Sequence, residues 1–259
     1  MPNSTNQFTW ILFRAASRFS ISPNLLNFYI DSKMKIKFSL AAILLTLSCT
    51  AFTAPQIIKS ASTTNCDLLL NQSKNIPDST SQIIVVRSLG DVQAEMTACQ
   101  RKKQIWKPVF KSDFKVVIGK NGVILPDAKQ EGDLKTPAGL YPLGEAFGSE
   151  PLALKMDYRY LTPDDKYVDD IEAKDYNQWV IGETKATSYE TMLIAPYKMG
   201  IVVNYNKNPT IPGAGSAIFI HLWRNPKTGT HGCIATDERH LLEILHWLDK
   251  NQHPYIFIR

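Results

Sequence analysis

Apolar runs too short for helices constrain this chain more than any other feature. Residues 83–87, 106–110, 114–118, 192–195, 201–205 and 217–222 are rich in β-branched and aromatic side chains, and each is bounded by Gly, Pro, Asn or Asp. Such side chains suit extended backbone and pack well on a pleated surface, so runs of this length predict strands. Residues 92–104 fit a strand or a short helix. One clear helical pattern comes late, with Leu241, Leu242, Leu245 and Leu248 along one face, and residues 255–258 return as a last strand. Many short strands with few helices favour a β-sandwich or a partly open barrel. Gly119-Lys120-Asn121-Gly122 predicts a hairpin turn, because Lys120 lacks the longer glycine-rich run of a phosphate loop.

The N-terminal region predicts export. Met34-Lys35-Ile36-Lys37, apolar residues 38–47, and Ser48-Cys49-Thr50-Ala51-Phe52-Thr53-Ala54 have the three-part shape of a secretory signal peptide, with an apolar run too short to span a bilayer. Residues 1–33 read as an extension from an upstream start codon and 34–54 as the signal. Residues 55–81, polar and broken by Pro55 and Pro77, read as a tether, and 82–259 as one domain. The destination is the periplasm or cell wall. A lipid anchor on Cys49 is the alternative, although Thr46 stands where a bacterial lipoprotein box wants leucine.

Removing residues 1–54 lowers the formal net charge from +5 to +1. No basic stripe remains to hold nucleic acid, and no later apolar run can span a membrane. Past the leader stand Cys66, Cys99 and Cys233. In an oxidising compartment an odd set leaves one thiol free or bridged to another molecule. A Cys66–Cys99 disulfide would tie the N-terminal extension to the domain and leave Cys233 unpaired.

Cys233 sits in the most informative motif. His221 is followed by Thr230-His231-Gly232-Cys233-Ile234, which places a thiol beside two imidazoles and a glycine. Cysteine attacks carbonyls as thiolate, and a nearby histidine, backbone donors or a helix N-terminus lowers its pKa. Gly232 lets backbone approach a substrate closely, and the N–H groups around Cys233 could hold an oxyanion. Thr236 or Asp237 can cap a following helix, with acidic Asp237 and Glu238 in its first turn and its positive dipole end near the sulfur. The bland alternative is a buried structural thiol. A zinc site of His221, His231 and Cys233 matches no common zinc spacing.

Several ordered motifs give a resemblance to a known family. These are 131–141 (Glu-Gly-Asp-Leu-Lys-Thr-Pro-Ala-Gly-Leu-Tyr), Val168-Asp169-Asp170 with Tyr176-Asn177, and the stretch from Gly215 through His221 to Cys233. Over roughly residues 82–259 the chain resembles a YkuD-type L,D-transpeptidase catalytic domain. That resemblance implies a β-sandwich with a helix in the C-terminal region, no cofactor and no metal. It implies peptidoglycan stem peptides as substrate, cleaved between a diaminopimelate L-centre and a terminal D-alanine. The acceptor would be an amine: a second stem, a protein amine or a D-amino acid. By position, the family's nucleophile falls on Cys233, its base on His221, and the residues shaping the oxyanion pocket on His231 and Gly232.

The chain departs from that pattern in two places. The stretch between His221 and Cys233 is short, and Ala235 stands where the family usually carries Asn or Arg. The group meeting the substrate carboxylate would then be Arg224 or Arg239, each of which also fits an ordinary solvated arginine. Trp223, Tyr197 and Tyr205 could wall the peptide groove or pack in the core. Adjacent Asp169 and Asp170 point to opposite faces of a strand, so a turn or solvated pair fits them better than one shared site. Residues 131–139 read as a turn-rich loop, and His240 and His246 as structural or exposed. No residue separates an amine from water as acceptor. A thiol carboxypeptidase or endopeptidase on peptidoglycan therefore remains open, as does a non-catalytic wall-binding module.

Overall fold

The computed structural model describes residues 65–71, 73 and 75–259. The predicted start extension, signal peptide and Cys49 lie outside the described residues, which all fall in one compact unit, Ile58–Arg259. The strands are β1 (Gln82–Gly90), β2 (Gln93–Lys102), β3 (Ile105–Pro108), β4 (Phe114–Val117), β5 (Val123–Ile124), β6 (Thr136–Pro137), β7 (Gly139–Gly148) and β8 (Tyr158–Tyr160). They continue with β9 (Asp165–Val168), β10 (Trp179–Ile181), β11 (Tyr189–Thr191), β12 (Met199–Val203), β13 (Phe219–Leu222), β14 (Ile234–Thr236) and β15 (Tyr255–Ile258). Helix α1 (Cys66–Leu70) precedes β1, and α2 (Glu238–Trp247) lies between β14 and β15.

The main sheet runs β1-β15-β7-β12-β13-β14-β4-β2-β3, and β1 also pairs with β2. That pairing closes the strands from β1 round to β2 into a ring, with β3 outside it on β2 and β8 on β7. Closure removes the open strand edges that a flat sheet would expose. The mainly β expectation therefore holds, and the closed ring makes the architecture more barrel than sandwich.

Strand alternation decides what faces the interior. In β12, Met199, Ile201 and Val203 enter the central core while Val202 faces out, and in β13 Ile220 points in while Phe219 and His221 point out. Helix α2 adds Leu241, Ile244 and Leu245 to the same core and packs on β12 and β13. Its N-cap is Asp237, whose carboxylate accepts from His240 N–H at 3.1 Å, as the capping pattern predicts.

A second core lies outside the ring, against the three-stranded sheet β10-β9-β11. Phe147, Tyr167, Tyr197, Val202, Phe219 and Cys233 pack there, with the Phe219 ring edge-on to Tyr167, Phe147 and Tyr197 at 5.0, 5.4 and 5.6 Å. Phe147 fits because residue 200 is glycine; a Cβ there would come within 2.4 Å of the Phe147 ring. The third cluster centres on the Cys66–Cys99 disulfide, which fixes α1 to β2 beside Trp106. The described part of the expected tether thus carries a helix and a covalent anchor.

Two local expectations are overturned and one strand is unforeseen. Residues 192–195 form no strand; β11 ends at Thr191 and a 3-10 turn, Ala195–Tyr197, begins around Pro196, whose missing N–H suits a helix start. Residues 139–148, for which the sequence predicts no element, form β7 between β15 and β12. Pro142 and Gly144 are accommodated where the β7–β12 register shifts between Ile201 and Val203. The turn at Gly119–Gly122 forms, with Gly122 N–H bonded to Gly119 O at 2.9 Å. It makes no hairpin, because β14 and β2 already flank β4 and the chain beyond the turn pairs with β6 instead.

Candidate active site

Strands β13 and β14 run parallel with His221 registered opposite Ala235, so the loop joining them must carry the chain back to the level of Phe219. That loop is stitched to the end of β4: Thr230 N–H donates to Ile118 O, and Lys120 N–H to Thr230 O, each at 2.9 Å. The Thr230 hydroxyl donates to Cys233 O at 2.6 Å and accepts from Gly232 N–H at 3.1 Å. Gly232 holds φ at +144°, and a Cβ would stand 3.1 Å from Lys135 O and 3.2 Å from Ile218 Cδ1. The conformation therefore favours glycine directly before the thiol, and the space around it is tight for a larger residue.

Cys233 is the free thiol among the described residues and is 7% exposed. Its sulfur donates to Ala217 O at 3.2 Å and accepts from Phe219 N–H at 3.4 Å; no hydrogen bond joins it to His221. Burial pushes the thiol far above its ordinary pKa and the Glu190 carboxylate adds to this, against a smaller opposing effect of the Phe219 N–H. Burial thus works against a thiolate in the resting site, where the motif alone favours one. The helix-dipole expectation is corrected: three extended residues of β14 separate Cys233 from the cap of α2 at Asp237, a span of about 13 Å.

His221 is held by its own strand. Nδ1 lies 2.8 Å from Leu222 O, and because a carbonyl can only accept, Nδ1 carries the proton and Nε2 keeps a lone pair. Burial lowers the imidazole pKa to about 4, outweighing the Leu222 bond that favours the charged ring. The edge-on Tyr197 ring, 5.1 Å away, fixes its plane from the side. The resting site therefore pairs a neutral imidazole with a neutral thiol.

Cys233, His221 and His231 open onto one cavity of about 420 Å³. His231 is exposed at its rim, and Lys120 Nζ, which can only donate, lies 3.2 Å from His231 Nε2. Of the residues expected to meet substrate, Trp223, Tyr197 and Arg224 line this cavity. Tyr205 does not. It is buried in the central core, edge-on to Tyr141, and its hydroxyl donates to Ala214 O at 2.6 Å. Arg239 is also elsewhere, ion-paired on α2 with Glu243 at 2.9 Å. Gly232 N–H is already bound to Thr230, so it is not a free oxyanion donor. Asp170 makes a turn by accepting from Thr187 and Glu172, whereas Asp169 buries one oxygen without a partner.

Lys120 and Glu190 line the cavity without any sequence signal for it: the first sits in a turn, the second in a short polar strand far from the cysteine motif. Glu190 accepts a hydrogen bond from the Tyr197 hydroxyl. Among the described residues no group of three His, Cys, Asp or Glu stands close enough to hold a metal ion. No helix there is long and apolar enough to cross a membrane.

A closed β-ring carrying an unpaired cysteine and an uncharged histidine on one open cavity has the build of a catalytic domain. The chain matches the YkuD family model, described as the L,D-transpeptidase catalytic domain, over residues 82–256, and it belongs to that family. No curated protein and no solved structure matches it.

Proposed function

We propose that the protein is a peptidoglycan L,D-transpeptidase that forms a thioester on Cys233. It would act on the bond between the diaminopimelate L-centre and terminal D-alanine of a stem peptide. The observation that carries this reading is the shared cavity of a free thiol and an imidazole whose Nε2 can accept a proton. A substrate entering the cavity displaces solvent, and His221 Nε2 takes the thiol proton as sulfur bonds to the carbonyl carbon. The oxyanion would rest on the backbone N–H groups of His231 and Cys233, which flank the occupied N–H of Gly232. The tetrahedral adduct then collapses: the C–N bond breaks, the imidazolium proton passes to the leaving amine, and D-alanine departs. An acceptor amine attacks the thioester, gives a proton to His221, and releases Cys233, which is reprotonated.

Lys120 and Arg224 bring positive charge to the cavity and suit the carboxylate of the departing residue. Export is supported by the Cys66–Cys99 disulfide, since such bridges persist in oxidising compartments like the periplasm and cell wall. The boundaries expected for the extension, signal, tether and domain belong to the same proposal. The test incubates the purified protein with tetrapeptide-stem muropeptides, with and without a D-amino acid, and weighs the products. Loss of alanine with a crosslink or exchange product supports transpeptidation; loss alone means water is the acceptor. Cys233→Ala should abolish either product while leaving the fold intact, and a variant retaining full activity overturns the mechanism.

A further inference from the structure

Glu190 is the feature of the cavity that the chemistry above leaves unused. It projects from β11 into the wall that holds Cys233 and His221, and the hydroxyl of Tyr197, the residue stacked edge-on against His221, donates to it. No Lys, Arg or His among the described residues forms an ion pair with this carboxylate. Lys120 lines the same cavity but is engaged with His231. Burial raises the Glu190 pKa, Tyr197 opposes this, and the charges of Asp169 and Glu131 raise it further, so apart from the Tyr197 hydrogen bond no cationic side chain compensates a negative charge there.

A carboxylate without a cationic partner on the same cavity wall as a nucleophilic sulfur works against the reaction, because it opposes thiolate formation. The cost disappears if the substrate itself brings the missing cation. We propose that Glu190 is a specificity-determining residue that binds an ammonium group of the acyl donor next to the carbonyl attacked by Cys233. This rests on the acyl-transfer reading and deepens it: Glu190 is the residue that would recognise the side-chain ammonium of the diaminopimelate in that donor. Binding of that cation offsets the Glu190 charge and eases ionisation of the thiol, so the preference is expressed in the rate of acylation as well as in binding. An empty cavity, or one holding a neutral donor, keeps the nucleophile protonated.

Two reagents separate this from a structural role. Cationic 2-aminoethyl methanethiosulfonate and neutral methyl methanethiosulfonate both need the same Cys233 thiolate, so the ratio of their rates reports charge in the cavity independently of the thiol pKa. With modification mapped to Cys233 by peptide mass, Glu190→Gln should lower the cationic-to-neutral ratio about tenfold, the size of one nearby charge in a partly solvated site. Glu190→Asp should keep part of it. An unchanged ratio in Glu190→Gln overturns the proposal, and a retained melting temperature together with an undiminished rate for the neutral reagent shows that the variant is folded. In parallel, acyl-enzyme formation is followed by intact mass with two donors ending in D-alanine, one with a free side-chain ammonium and one with that amine acetylated. Wild type should acylate faster with the free amine, and Glu190→Gln should lose the difference. Equal rates in wild type overturn the proposal. If neither donor acylates wild type, the reaction assigned to the site falls, and the reagent ratio alone decides whether Glu190 binds cations.

Discussion

Burial acts on the two reacting side chains in opposite directions of pKa and with one chemical result. It raises Cys233 and lowers His221 to about 4, so both are uncharged near neutral pH. A base that must be neutral to accept a proton is lost only when acid protonates it. The acid limb of kcat/KM, which reports the free enzyme, should therefore fall near pH 4 and not near the ordinary histidine value of about 6.5. A limb at 6 or above, measured with a donor that does not titrate in that range, would show that His221 is not held neutral by burial or is not the base. The residue types of the site were legible in the sequence, because a His and a Gly-Cys pair near one another carry chemistry wherever they occur. Their protonation was not, since it depends on Phe219, Tyr197 and Glu190, which chain order scatters across β13, a 3-10 turn and β11.

At the level of elements, the capped helix α2, strand β13 and strand β15 were legible because each obeys one period over its whole length. Strand β7 was hidden by Pro142 and three glycines, which signal turns locally but here serve a register shift and close strand contacts. The disulfide makes a prediction at this scale. Cys66 and Cys99 are separated by 33 positions, and a bridge closing a loop of that size stabilises by roughly 2–4 kcal/mol through the unfolded chain. Its partners lie in the cluster of Val85 and Trp106, away from the cavity. Cys66→Ser with Cys99→Ser should lower the denaturant midpoint by that free energy while leaving the rate of Cys233 acylation within about twofold. A large fall in acylation in folded protein would tie α1 to the site.

For the whole molecule, the buried histidine becomes a pH dependence of folding. Because the folded pKa of His221 is about 4 and the unfolded value about 6.5, the unfolded chain binds more protons between those limits, and stability rises with pH there. The penalty is absent above about 6.5, grows as pH falls, and is complete below about 4, reaching roughly 3 kcal/mol at 1.36 kcal/mol per unit. His221→Gln removes this contribution, so the difference in unfolding free energy between wild type and variant should narrow by that amount from pH 7 to pH 4 when followed by urea denaturation. A constant difference would mean that the imidazole is not buried as a neutral group. The sequence by itself determined the strand-rich class, the late capped helix, the family and an odd set of cysteines past the leader, because these follow from periodicity, counts and local motifs; the structure then paired Cys66 with Cys99. Only the tertiary structure decided that the sheet closes, that Tyr205 and Arg239 stand away from the cavity, and that Lys120 and Glu190 enter it. Closure and cavity walls depend on which distant strands pair, and pairing is fixed by the packing of side chains from all of them at once.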